Sequence, residues 1–277
     1  MDMRSRSKII INFSIVMTAI CTILLTLCFF TSFDARLGYF SSDSILPVLF
    51  KIVYGASALG ILVSTFIYTK EKESPVKITR LSPAAKIVLV CIGALLAVFS
   101  VYEAVSLMLR GNVLSYGAAS SLGKLFFGAY LILTAAEKDS LRSPRLFCIC
   151  FSALYPICSA MENFFNAFRP SNSVENTLCA CVSIALLIYI LNEARALVYG
   201  KVDRIYLPSV LLTLLTGASF SVSYIIAYAA GALYETSRFK YSVSLVLVSV
   251  YSAYLVFSFF QNKEESANKT ENAEKTE

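Results

Sequence analysis

Apolar residues come in eight long runs along the chain, separated by short polar stretches, and this pattern is the strongest signal in the sequence. The runs predicted as spans are Ile9–Phe30, Ile45–Tyr68, Ala84–Leu109, Tyr116–Ala136, Leu146–Phe168, Val174–Leu191, Leu207–Gly231 and Phe239–Phe260. Each is about 18 residues or longer, enough for an α-helix rising about 1.5 Å per residue to cross roughly 30 Å of hydrocarbon. The breaks carry turn formers and charges, as in Asp34 to Gly38, Lys70 to Pro83, Arg110-Gly111-Asn112, Glu137 to Arg145, Arg169 to Asn172, Gly200 to Arg204 and Glu235 to Arg238. The expected fold is all-α, a polytopic transmembrane helix bundle of about eight spans over residues 1–260. Residues 261–277 are Lys, Glu, Asn, Thr and Ser with almost nothing apolar. Such a stretch buries too little surface to offset its ordering entropy, so a disordered cytoplasmic tail is expected there.

Composition supports the same class. The chain is 57% hydrophobic and 15% charged, whereas a soluble domain is about 25% charged and needs that polar surface to cover itself. Arg4, Arg6 and Lys8 precede the first run, as they would in a secretory signal. The run is too long for a signal's apolar core and no small-residue cleavage site comes after it, so it reads as the first span.

Charge placement gives an orientation. Alternate ends of the spans, from the N-terminus to the C-terminal tail, hold 17 of the 24 Lys and Arg residues. Basic residues gather on the cytoplasmic side of a membrane protein, which places both termini in the cytoplasm. The net charge of +6 is thereby accounted for without a nucleic-acid partner. The partners expected are a lipid bilayer, a small-molecule or ion ligand, and a second membrane protein.

The absence of histidine removes Ser-His-Asp and Cys-His nucleophiles, HExxH metalloproteolysis and every His-containing metal site. No phosphate-binding GxxxxGK[ST] loop and no paired intramembrane aspartates occur, and Glu264-Glu265 lies in the tail. All eight cysteines fall inside or at the ends of spans, where they serve as small apolar fillers. The pairs Cys148/Cys150 and Cys179/Cys181 are spaced so that helical neighbours point apart, which makes neither a chelate. The expectation is a protein without catalytic residues, metal or cofactor.

Three ionisable side chains stand inside spans, where each costs several kcal/mol and calls for a partner: Glu103, Lys124 and Glu162. Glu103 and Glu162 lie seven residues before Arg110 and Arg169, about 10 Å inside the outer boundary at 1.5 Å per residue. Lys124 enters the inward-running fourth span to a similar depth, so the three could form one polar pocket with Arg110 and Arg169 at its rim. Tyr102, Asn163 and Asn166 could add neutral hydrogen bonds. The same residues could equally lock helices together by pairing. The repeated spacing, Glu103 to Arg110 and Glu162 to Arg169, admits an internal duplication or coincidence. Pro156, about a turn and a half before Glu162, is the clear helix breaker within a span and favours a pocket there.

In the seventh span, Thr216, Ser219 and Ser223 share a face, and Gly217 and Ser221 form a second small-residue pair. Both suit close helix packing more than the lining of a pathway. Glu193 and Arg195 end the sixth span and are expected to be solvated.

The segment Asp34-Ala35-Arg36-Leu37-Gly38-Tyr39-Phe40, with the span from Ile45 after it, resembles the first exterior loop of uncharacterised multi-spanning membrane proteins of anaerobic Gram-positive bacteria. The resemblance runs from the N-terminus through the second span. It implies a multi-pass protein of the bacterial cytoplasmic membrane and no particular activity. The functions weighed are a small-molecule or ion permease using the Glu103/Lys124/Glu162 level, a non-catalytic accessory or sensing subunit, and a lipid-modifying enzyme. The last would need a carboxylate-rich metal site at an interface, and the sequence offers none.

Overall fold

The computed structural model describes residues 3–34, 39–41, 43–68, 81–111, 115–165, 174–200, 205–233 and 236–274. Helices are α1 (Met3–Thr31), α2 (Leu46–Tyr68), α3 (Pro83–Leu109), α4 (Tyr116–Ala135), α5 (Arg142–Ser152), α6 (Leu154–Phe164), α7 (Val174–Tyr199), α8 (Tyr206–Ala229) and α9 (Thr236–Glu274). Among the described residues, eight segments are long and apolar enough to cross a bilayer, with α5 and α6 together forming the fifth. The chain is an integral membrane protein built as a helix bundle. An even number of spans brings the chain back to the face from which α1 starts, here termed the terminal face; the other is the distal face.

Local chemistry sets several helix ends. The Ser82 hydroxyl accepts from Ala85 N–H at 3.2 Å with Pro83 in the first helical position, and the Ser115 hydroxyl accepts from Ala118 N–H at 3.2 Å. These caps satisfy amides that the first turn leaves unpaired. At the end of α3 the chain reverses through Gly111 at φ +77°, a conformation that costs glycine no Cβ clash. Glu137 takes φ +51° without that freedom. Its carboxylate holds it there by pairing with Lys86 at 2.7 Å and accepting from Leu81 N–H, which ties the end of α4 to the start of α3.

α8 lies at the centre and is the most deeply buried of the described spans, whereas α2 is peripheral and largely exposed. It packs on α1, α7 and α9. Ser219 and Ser223 donate across to the Thr18 and Thr22 carbonyls of α1 at 3.4 and 2.9 Å. On another face of α8, a Cβ at Gly217 would meet Ser249 Oγ of α9 at 2.7 Å. The small-residue stripe is therefore helix-packing surface on both faces.

α4 is gripped on two sides by backbone contact. A Cβ at Gly128 would stand 2.6 Å from Gly93 O of α3, and one at Gly93 would stand 2.7 Å from Gly128 O. A Cβ at Gly123 would stand 2.2 Å from Tyr155 N of α6. Glycine is what allows these helices to touch main chain to main chain.

Three features differ from the sequence expectation. The fifth span starts at Arg142, a turn early, and is broken at Ala153, three residues before Pro156. Proline lacks the N–H that would bond the carbonyl of Ser152, and its ring crowds that carbonyl. Second, the connection from α1 to α2 contains a two-stranded antiparallel ribbon, β1 (Phe33–Asp34) with β2 (Tyr39–Phe40), pairing Phe33 with Phe40. The Phe33 and Phe40 rings lie 5.5 Å apart and both pack on Phe29 of α1. Third, α9 runs as helix to Glu274, through most of the stretch expected to be a disordered tail. Adding residues to a helix already formed avoids the cost of nucleation, which the composition argument did not include.

Candidate functional site

Glu103 and Lys124 meet as their common level predicted. Glu103 lies six residues before the end of α3 and Lys124 eight residues into α4, both about 9–12 Å from the distal ends of their helices at 1.5 Å per residue. Lys124 Nζ donates to Glu103 Oε2 at 2.6 Å, with the lysine side chain 2% exposed and the glutamate 20%. Ser121, a turn earlier on α4, donates to the same oxygen at 3.0 Å. The ammonium also stands 5.2 Å above the ring of Tyr155, where the ring quadrupole adds attraction.

Tyr155 belongs to the broken fifth span. The α5–α6 junction presses main chain against Gly123, so the buried lysine sits one residue from the point of contact. The Tyr155 hydroxyl is buried and has no hydrogen-bond partner among the described residues. Just outward, Ser120 and Ser159 share a hydrogen bond of 2.7 Å. The site is thus an ion pair with hydroxyls on one side and a helix discontinuity on the other.

Glu162 does not share this level. The sequence places it six residues before the end of a span ending near Phe168, but α6 ends at Phe164, so Glu162 falls in the last turn and is exposed. Its carboxylate lies against the first turn of α4, 3.1 Å from where a Gly117 Cβ would be. Arg110 caps α3 and is exposed at the distal rim. Arg169 and Asn166 lie outside the described residues, as does the side chain of Asn163. Tyr102 turns away from the pair: the residue is 60% exposed and its ring carries Lys240 Nζ of α9 at 4.8 Å.

Two polar centres were not anticipated. Glu193, expected to be solvated, is 9% exposed and accepts from the hydroxyls of Tyr130 and Tyr206. The expectation failed because α7 continues to Tyr199 beyond the apolar run, burying the residues that ended it. Arg195, two residues on, is exposed as expected. Near the distal face Arg238, read as part of a loop, lies inside α9 at 3% exposure. It donates to Asn176 Oδ1 and, at 3.5 Å, to Cys179 Sγ of α7. The cysteine pairs split as their spacing requires, with Cys148 buried and Cys150 exposed. No group of three or more metal-ligating side chains occurs among the described residues.

No protein-family model matches the chain, and neither a curated protein nor a solved structure is significantly similar to it.

Proposed function

We propose that the protein is a permease for a small polar solute or ion, with the Glu103–Lys124 pair as its binding site and no catalytic role. The carrying observation is the buried pair beside the break in the fifth span, where Gly123 meets Tyr155. Membrane carriers bind their cargo near discontinuous helices, because a helix break frees main-chain groups for the cargo. A buried lysine is costly enough to be kept for a partner. In this reading the terminal face is cytoplasmic, from the basic residues along it, and the membrane is that of a bacterial cell.

The test is gentle extraction and then native mass spectrometry of wild type and Lys124→Ala, with Glu103→Gln as a second variant in case the first does not fold. A small molecule held by wild type and lost from a folded variant supports the permease. Absence of any small ligand from wild type, with solute uptake into proteoliposomes unaffected by either variant, sinks it.

One observation favours a second reading, an accessory or sensing subunit. α9 continues past its apolar run, which ends at Phe260, to Glu274, a projection of about 21 Å at 1.5 Å per residue. A protein partner that co-purifies with the full chain and is lost when residues 261–277 are removed would establish it.

A further inference from the structure

We propose that Glu193 is a proton-exchange site, a carboxyl that takes up and releases a proton with the aqueous phase at the terminal face. Glu193 stands six residues before the end of α7, about 9 Å from that helix end at 1.5 Å per residue. Tyrosines from four helices surround it. Tyr130 of α4 and Tyr206, the first residue of α8, donate to its two carboxylate oxygens. Tyr189, one turn back on α7, has its ring 6.3 Å from that of Tyr206 and 6.4 Å from that of Tyr251 on α9. All four rings are at most 4% exposed.

No cation balances this carboxyl among the described residues. The basic groups on the helices packed nearby are engaged elsewhere. Arg142 of α5 donates to the Leu197 and Val198 carbonyls at 2.8–3.0 Å. Arg145 donates to the Leu141 and Lys138 carbonyls, both at 3.3 Å. Lys124 of α4 pairs with Glu103, and Arg195 of α7 is exposed against the Tyr199 ring.

The choice of partners is the point. An ammonium or guanidinium can only donate, so it satisfies a carboxylate and opposes its protonated form. A tyrosine hydroxyl both donates and accepts. When Glu193 is ionised, Tyr130 and Tyr206 donate to it. When it gains a proton from water, its new O–H donates and one tyrosine hydroxyl turns to accept. The Tyr251 hydroxyl, in contact with those of Tyr130 and Tyr189, can take the hydrogen that is turned away. The cage therefore serves both protonation states and spares the membrane interior an uncompensated charge in one of them. This does not depend on the solute site: the permease reading can fail with proton exchange intact.

The measurement is infrared difference spectroscopy of the full chain in lipid, titrated between about pH 5 and about pH 8, above the pH of about 4 at which an ordinary glutamate titrates. Wild type is expected to show a protonated-carboxyl C=O band that grows with acid and is missing from Glu193→Gln. Tyr130→Phe and Tyr206→Phe are expected to shift the frequency or midpoint of the band without abolishing it. A wild-type spectrum with no titrating band beyond that of a folded Glu193→Gln overturns the proposal. Should Glu193→Gln fail to fold, the two Phe variants decide: a band they leave unmoved does not belong to Glu193, and the proposal falls.

Discussion

The Glu103–Lys124 pair makes a quantitative demand that a double-mutant cycle can test. Two unit charges 2.6 Å apart attract by about 6 kcal/mol at an effective dielectric of about 20, before the cost of taking both from water. The two ends are not equally enclosed. Glu103→Gln strands an ammonium that is 2% exposed, and the expected loss of stability is about 3 kcal/mol. Lys124→Met strands a carboxylate that is 20% exposed and keeps the Ser121 hydroxyl, so the expected loss is smaller, about 1–2 kcal/mol. The double variant removes both charges and should be about 1–2 kcal/mol less stable than wild type, giving a coupling of about 2–4 kcal/mol. The chain has no tryptophan, so unfolding in mixed micelles is best tracked by far-ultraviolet circular dichroism. A coupling below about 0.5 kcal/mol, the value of a solvated pair, would refute the enclosed geometry, and so would a Lys124→Met loss larger than that of Glu103→Gln.

Contacts elsewhere give further expectations. Gly123→Ala puts a methyl 2.2 Å from Tyr155 N; a loss of about 1–3 kcal/mol or more is expected, together with weaker binding at Lys124, measured by the same unfolding assay and by native mass spectrometry. Ser219→Ala and Ser223→Ala should each cost only about 0.6 kcal/mol, whereas leucine at either position should separate α1 from α8 and greatly increase hydrogen exchange along α1. Arg142→Ala removes hydrogen bonds to the Leu197 and Val198 carbonyls from an exposed residue; the expected cost is about 1 kcal/mol, seen as faster amide exchange confined to the last turn of α7.

The spans were legible because runs of apolar residues leave no soluble alternative, and the ion pair was legible because a charge inside such a run must find its opposite. Glu162 was misplaced for a traceable reason. After Phe164, the last residue of α6, the sequence Phe165-Asn166-Ala167-Phe168 is still mostly apolar, and hydropathy alone carries no mark of where a helix stops within such a run. Glu193 was missed because Glu193 and Arg195 look like the charged end of a run. The signal available was the tyrosine content at one depth, with Tyr130 five residues before the end of α4 and Tyr206 opening α8. Spacing along one helix carries no record of what stands across from it, and this is why a cage drawn from four helices stayed hidden. The same limit applies to the glycines. Gly93, Gly123 and Gly128 are unremarked in the sequence until their backbones are seen against a neighbour.

Those glycines determine how the two polar centres can communicate. α4 carries Lys124 and Tyr130, six residues and about 9 Å apart along its axis. Main-chain contact at Gly93–Gly128 and at Gly123–Tyr155 leaves α4 no room to slide past α3 or α6, because close-packed backbone does not deform continuously. α3, α4 and α6 therefore act as one unit, and the Glu103–Lys124 pair lies wholly inside it. Glu193 lies across the boundary of that unit: it joins Tyr130 on α4 to Tyr206 on α8, while Phe127 meets Tyr251 of α9 at 6.0 Å. A change of bonding at Glu193 shifts the seam between the two groups of helices, whereas a change at the ion pair strains the inside of one. Any coupling between them must be carried by α4 moving with its partners, and, being a free energy, it would be equal in both directions. If Glu193 exchanges protons and Lys124 holds a solute, the two would be linked through a single helix held by three glycines, and a methyl at Gly123 should then disturb both sites although it touches neither carboxylate.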